Sequence, residues 1–405
     1  MFWKGQSIPL PYPQQYGEEV KEGGGVAGRK KVVGRSFHHG RFVQQLRKAA
    51  SLQKGVKVME ATVSRLVEEE GEVKGVEYKV KNELKKQFLF APLTIVCDGL
   101  FSNFRKHFIG ETEKVQAKSS FVALILEECE LPYENHGHVI LMDPSPTLCY
   151  PISSREARVL VDVPHPLPNS SNGDLKHYLH TVTAPQLPLQ LRDAFLDALE
   201  KERLRSMPCG TLHPKLHFKK GAILVGDAFN VRNPLTGAGM TIALSDVCIL
   251  SGLLEGVKDF KEEKLMLEKT KLFHKQRKDI SSTINILAQA LYEVFAASSD
   301  EAMPLVRQAC FDYFKLGGVC VDGPMSLLSG LKESPATLVT HFFAVALYGV
   351  GSQLLPFPWP SNLYTSFKML KAATNVIWPL MSGEHLLDLT YPNNLNIQTP
   401  HHSKL

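Results

Sequence analysis

Residues 223–246, ILVGDAFNVRNPLTGAGMTIALSD, restrict this chain more than any other stretch. An apolar run reads as a buried strand, ends at Gly226-Asp227, passes a loop holding Pro234, Gly237 and Gly239, and opens a helix at about Met240. Gly226 permits a sharp turn at the strand end. Asp227 there can accept hydrogen bonds from sugar hydroxyls. The loop glycines let backbone approach a ligand, and the helix start aims free N–H groups and a positive dipole end at an electron-rich or anionic group. That order suits a flavin dinucleotide, with the carboxylate on the ribityl chain and the amides at the isoalloxazine edge. An ordinary strand–turn–helix shares the outline, but the whole string is more specific than a lone glycine-rich motif.

Composition narrows the class. The chain has 405 residues, 44% hydrophobic and 21% charged, enough for one large domain or two interlocked ones. The net charge of +5 comes from scattered basic residues, which argues against nucleic acid and allows attraction to an anionic membrane surface. The 7 cysteines include no C-x-x-C pair, and no signal peptide opens the chain. Reduced, mostly buried thiols on a cytosol-facing protein are expected. His38-His39 and His401-His402 lack companion ligands, so no metal is expected.

Spacing predicts a basic helix over Arg41–Ser51 and strands within Val56–Glu70, Val73–Val80, Leu93–Cys97, Phe121–Leu126, His138–Leu141 and Val159–Val163. Asp174–Leu199 reads as helical with proline breaks. Ser245–Leu254 and Phe260–Phe295 read as long helices. Leu338–Phe357 has about the length of a membrane span, though His341 and Gln353 interrupt it. Tyr364–Leu380 mixes apolar residues with Lys368 and Lys371. Core helices fit both stretches, and so do monotopic membrane helices, which the apolar, aromatic and basic-edged composition favours.

The opening string resembles the second FAD motif of class A flavoprotein monooxygenases, and within them the squalene monooxygenase (squalene epoxidase) family. GRSFHHGRF at Gly34–Phe42, APLTIVCDGLFSNFRK at Ala91–Lys106, ILAQALYEVF at Ile286–Phe295, FDYFKLGG at Phe311–Gly318 and HFFAVALY at His341–Tyr348 agree with it. The resemblance runs from about Gly34 to near the C-terminus. It implies an α/β (α+β) FAD/NAD(P)-binding fold with a β-sheet substrate domain and C-terminal membrane-associated helices. The expected divisions are an irregular or hairpin segment at 1–33, a partial FAD-binding domain at 34–110, and a substrate sheet at 111–210. The second FAD motif and its helix follow at 211–255, then a helical membrane-associated region at 256–405.

The resemblance also implies residue roles. Arg47, the backbone of Val63, Asp98, Asp227 and Met240 would contact FAD, with Arg41 a weaker candidate. Asp98-Gly99 would serve both FAD and NADPH, and the nearby Arg105 and Lys106 suit phosphates, although a strand-ending Asx-turn explains the same pair. Leu141, Tyr150, Pro234, Phe295, Phe311 and His341 would line a dry apolar tunnel for squalene. Read alone, each aromatic fits a plain core and His341 a satisfied core histidine. No side-chain catalyst is expected, because in this class the flavin carries the reaction. Tyr12, in LPYP, takes no catalytic role. The implied substrates are squalene and O2, the donor NADPH through NADPH-cytochrome P450 reductase, and the setting the cytosolic face of the endoplasmic reticulum membrane (microsomes), within sterol synthesis.

One departure stands out. Met1–Tyr16 is rich in Pro and Gln, with no strand leading to G-x-G-x-x-G, and GGGVAG at Gly23–Gly28 lacks a βαβ setting and reads as a hairpin loop. The chain thus looks like the family protein without its first Rossmann unit and N-terminal membrane region. An inactive squalene- or sterol-binding relative is the alternative, since the pyrophosphate would lose its cradle. A prenyl-lipid reductase is a third reading, disfavoured by the long C-terminal match.

Overall fold

Period-two alternation of apolar residues builds the larger sheet of this fold. The computed structural model describes residues 1–13, 16–20, 26–31, 33–83, 85–111, 114–201, 203–296, 300–355 and 357–386. In chain order the strands are β1 (Phe2–Trp3), β2 (Gln6–Ser7), β3 (Tyr16–Val20), β4 (Val26–Lys31), β5 (Ala61–Glu69), β6 (Glu72–Val80) and β7 (Gln87–Phe90). There follow β8 (Thr94–Val96), β9 (Gln116–Glu127), β10 (His138–Ile140), β11 (Thr147–Pro151), β12 (Glu156–Pro164), β13 (Arg205–Thr211) and β14 (Ala222–Leu224). The helices are α1 (His39–Ser51), α2 (Lys106–Ile109), α3 (Asp174–Tyr178), α4 (Leu189–Lys201) and α5 (Gly239–Leu254). The remainder are α6 (Glu263–Phe295), α7 (Met303–Lys315), α8 (Val319–Leu328), α9 (Pro335–Leu354) and α10 (Pro360–Gly383). The chain divides into a first unit, residues 1–38, 117–209 and 283–380, and a second unit, residues 39–116, 210–282 and 381–405.

The first unit holds a seven-stranded sheet ordered β13-β9-β12-β11-β10-β1-β2. Antiparallel pairing sets Val159 opposite Leu124 and Val161 opposite Val122. On that face these residues meet Leu175, Leu179, Leu191 and Phe195 of α3, α4 and the turn between them. Each such fully buried side chain stabilises by about 1.5–3 kcal/mol relative to exposure. The opposite face, by alternation, carries Ser119, Phe121, Leu148, Tyr150, Leu160 and Asp162. Here Tyr292 of α6 donates its hydroxyl to Ser119 Oγ at 2.9 Å.

The Pro-rich start, with no Rossmann-type strand among its described residues, still contributes two short strands. Phe2 pairs in parallel with Ile140, and Trp3 donates Nε1 to Gln308 at 2.9 Å. Strands β3 and β4 form an antiparallel hairpin. Its connection, with Gly23 to Gly25 of the GGGVAG stretch, lies outside the described residues, as do His401 and His402. Strands β7, β11 and β13 carried no alternation signal strong enough to mark them. Helices α7, α9 and α10 pack closely: a Cβ at Gly349 would sit 2.6 Å from Met369 and 2.7 Å from Ala309.

The second unit combines the antiparallel meander β5-β6-β7 with a parallel pair, β14 and β8. Leu66, Val73, Val96, Phe104, Phe108, Leu224, Phe229, Leu250 and Phe273 form its core. Arg277 of α6 and Asp246 of α5 make a buried bidentate pair at 2.9 and 3.0 Å. The cysteines depart from expectation. Cys149, Cys209 and Cys310 are buried, but Cys97 and Cys248 are exposed, because Cys97 lies just past the end of β8 and Cys248 on the outward side of α5.

Candidate functional site

Strands β8 and β14 are short, parallel and in register, Ile95 opposite Ile223 and Val96 opposite Leu224. Both therefore release their chains at the same end, the carboxyl end where open α/β sheets hold ligands. Asp98-Gly99 leaves from β8 and Gly226-Asp227 from β14. The two predicted acidic turns, far apart in sequence, are thus neighbours.

One buried arginine holds them together. Arg105 donates Nε to Ala228 O at 2.8 Å and Nη2 to Asp227 O at 2.7 Å. The same Nη2 reaches Leu100 O at 3.1 Å and Gly99 O at 3.3 Å. The sequence suggested a phosphate ligand in this cation. The structure turns it inward, to carbonyls that the sharp turns leave without strand partners. Lys106 stays exposed, with Nζ 3.9 Å from Glu111. Asp98 Oδ2 accepts from the Asn103 N–H at 2.9 Å, so this carboxylate fixes its own loop. Asp227 uses only its backbone oxygen in the clamp, and its exposed carboxylate has no ion pair among the described residues.

The loop after Asp227 is equally well held. Gly226 and Gly237 both take φ +66°, a conformation that other residues resist. Asn233 Oδ1 caps the 3₁₀ turn at Pro234 by accepting from Leu235 N at 3.0 Å. Arg232 donates to Asn230 Oδ1 at 2.8 Å and to Gly239 O at 3.2 Å. Burial beside Arg277 brings the Arg232 guanidinium down to about 10, still charged at neutral pH. Below this lie His217 and His274, each with its ring about 5 Å from Phe229. Burial pushes His217 down to about 4 and holds His274 well below the ordinary histidine value, so both are neutral.

What remains open in the loop is informative. The first N–H groups of α5, at Gly239, Met240 and Thr241, precede the first intrahelical bond, Ile242 N to Ala238 O. Thr236 Oγ1 is buried with no partner among the described residues. An accepting carboxylate, free helix-start donors and an orphaned hydroxyl are the donor and acceptor set a flavin needs, so the residues present fit FAD at its flavin end. No strand–G-x-G-x-x-G–helix exists among the described residues, and Val26–Gly28 of the candidate stretch is strand.

The remaining candidates are placed as follows. Arg47 lies on α1, a helix with no buried side chain. Val63 is on β5, paired with Tyr78. Met240 is in the first turn of α5 and Pro234 opens the 3₁₀ turn. The other substrate candidates belong to the first unit. Tyr150 lies by register on the face of the sheet that meets α6, and Leu141, just past β10, donates its N–H to Phe2 O at 2.9 Å. Arg307 ties Leu141's neighbour to Phe295, donating to Met142 O at 3.2 Å and Phe295 O at 3.1 Å. Phe311 is fully buried on α7. His341 on α9 shares a hydrogen bond between Nδ1 and Tyr313 OH at 3.0 Å and lies where a Gly323 side chain would be. Tyr12 packs over Gly34, where any side chain would collide with its ring. Arg232, Thr236 and Arg307 are parts of the site that the sequence did not mark, and Arg105 was marked with a different partner. Only Arg105 had a visible signal, seven residues after Asp98.

Comparison with known proteins fits this geometry. The sequence model of the squalene epoxidase family matches residues 90–365. Squalene epoxidase 3 of Arabidopsis thaliana is 50% identical over 367 residues, 90% of this chain and 69% of that protein. Squalene monooxygenase of Rattus norvegicus is 42% identical over 381 residues, 93% of this chain and 63% of that protein. Among solved structures, the flavin-dependent brominase Bmp2 aligns with a TM-score of 0.57 at 12% identity, covering 80% of this chain and 77% of its own. Klebsiella pneumoniae HpxO complexed with FAD and uric acid aligns with a TM-score of 0.53 at 16% identity, covering 67% and 66%. At such identity the likeness concerns the fold, that of FAD-dependent monooxygenases and halogenases.

Proposed function

Because this chain belongs to the squalene epoxidase family, we propose that it is an FAD-dependent squalene monooxygenase, converting squalene and O2 to 2,3-epoxysqualene with electrons from NADPH. The observation that carries this is the parallel pair β8–β14 with its two acidic turns, closed by Arg105 and facing the open start of α5. Bound FAD supplies O2 activation and oxygen transfer to an alkene. The chain's residues supply binding, orientation and a dry surface.

Asp227 would accept from a ribityl hydroxyl, the free N–H groups at Gly239 and Met240 would bind the isoalloxazine, and Thr236 Oγ1 would gain a partner there. Arg47, Val63 and Asp98 contribute to the rest of the dinucleotide, and Asp98 to NADPH. Leu141, Tyr150, Phe295, Phe311 and His341 would bind the isoprenoid chain. Burial of these apolar groups excludes water, which protects an oxygen-transfer step from hydrolytic side reactions. Residues 34–110 and 211–255 would form the FAD part, and 111–210 the substrate sheet.

Residues 256–405 would meet the cytosolic face of the endoplasmic reticulum membrane. Helix α9 is 20 residues long with mean hydropathy 1.2, and only 17% of its apolar window is buried. Leu355, Phe357, Trp359, Leu363, Tyr364 and Phe367 are all more than half exposed. An aromatic, apolar surface of this kind suits the interface of one leaflet. NADPH-cytochrome P450 reductase is the proposed donor.

The test is the FAD content of the purified, detergent-solubilised chain after gel filtration, followed by NADPH- and reductase-dependent epoxidation of squalene. Stoichiometric FAD and product formation are expected. A folded chain without flavin would overturn the reading.

A further inference from the structure

The meander β5-β6-β7 has two unlike faces. Leu66 and Val76 point inward, to the core of the second unit. By the register, Arg65, Glu77 and Phe88 lie on the outer face, with Gly75 opposite Phe90. Phe88 and Phe90 are 51% and 63% exposed, and their rings stack at 6.4 Å and 13°. Covering the bare backbone of Gly75 explains one aromatic ring here, but two rings this exposed exceed that need.

Cations surround them. Arg65 and Lys86 bond Glu77 at 3.0 and 2.8 Å while their side chains stay 60% and 66% exposed. Those bonds and that of Ser64 hold Glu77 down to about 2, so it stays ionised. Alternation puts the exposed Lys79 on the same face, and exposed Lys81 and Lys85 follow in the turn to β7. Two cations thus hold one carboxylate beside two projecting rings, with Lys79 on the same face.

We propose that this outer face of the meander is a contact site for an anionic lipid surface, separate from the apolar region of α9 and α10. The charge on this face is spread over separate exposed side chains. Such a face suits a fluid anionic interface, in which Phe88 and Phe90 reach the headgroup–acyl boundary and the lysines meet phosphates. The proposal uses the membrane setting of the preceding reading but neither FAD nor squalene.

The experiment measures partition of the full chain onto phosphatidylcholine vesicles with and without phosphatidylserine. Wild type is expected to gain affinity with phosphatidylserine and to lose that gain in high salt. In Phe88→Ser/Phe90→Ser, and independently in Lys79→Gln/Lys86→Gln, the gain should fall at least about fivefold. Folding is checked by circular dichroism, and the two variants alter different groups. Trp359→Ser/Phe367→Ser separates the two readings: it should weaken binding to both vesicle types and leave the phosphatidylserine gain intact. An unchanged gain in both meander variants, or none in wild type, overturns the proposal. So does a gain that persists while the variants lose binding to an acidic redox protein, which would make the face a protein-docking site.

Discussion

The two candidate regions are built on opposite principles. In the second unit, the turns at Asp98 and Asp227 are fixed by buried polar groups: Arg105 on four carbonyls, Arg232 on Asn230 and Gly239, Arg277 on Asp246. In the first unit, Leu141, Tyr150, Phe295 and Phe311 sit on surfaces set by strand register and apolar packing, with Arg307 as the main polar tie. A directional network breaks sharply when one member is lost. Packed apolar surface yields in proportion to what is removed, and tolerates similar shapes.

The largest effect should come from stranding a buried charge. Arg277→Met leaves Asp246 unpaired and should cost about 3–5 kcal/mol in urea denaturation, while Arg277→Met/Asp246→Leu should recover most of it. Equal losses in single and double variants would contradict the polar account of the second unit. In the first unit Phe195→Ala should cost about 3–5 kcal/mol by cavity formation, but Phe195→Leu much less, under about 2 kcal/mol. A Leu variant as damaged as the Ala one would deny the contrast.

Smaller effects sharpen it. Asp227→Ala should weaken FAD binding, followed by flavin fluorescence, by about 1.5–3 kcal/mol, roughly ten- to a hundredfold, with the thermal midpoint of the apoprotein unchanged. The smallest concerns Asp162, buried on the side of the sheet that meets α6, with Oδ2 lacking a partner among the described residues. Burial raises its pKa. The folded state therefore holds the proton more tightly than the unfolded state, so stability is retained at low pH and lost as pH rises from the unfolded value of about 3.9 through the raised one. Asp162→Asn should raise the thermal midpoint at pH 8, and the difference should shrink as pH falls. A midpoint lowered equally at all pH values would show that the carboxylate itself is required.

Much of the fold was legible where periodicity was strong. Helix α1, the strands inside 121–126 and 159–163, and the long helix ending at Phe295 follow from spacing alone. Strand β7 was hidden because Phe88, Leu89 and Phe90 do not alternate, being exposed together. Strand β11 was hidden by Pro146 and Pro151 at its ends. The acidic turns were visible because glycine and aspartate at strand ends are restricted in what they can do. Their adjacency was not, since a parallel pairing of three residues over more than a hundred positions leaves no local mark. At Arg105 the cation spacing resembled a phosphate site, while the physical demand was for donors to stranded carbonyls.

That clamp has a consequence for conditions. Its hydrogen-bond acceptors are neutral carbonyls, so mobile ions have no direct ion pair to displace, and a guanidinium remains protonated across the accessible pH range. The distance between the two acidic turns should be indifferent to the surrounding electrolyte. A lysine, with one compact charge and no planar fork, cannot span four oxygens from two loops. Shape rather than net charge would therefore decide which residues evolution can place at position 105.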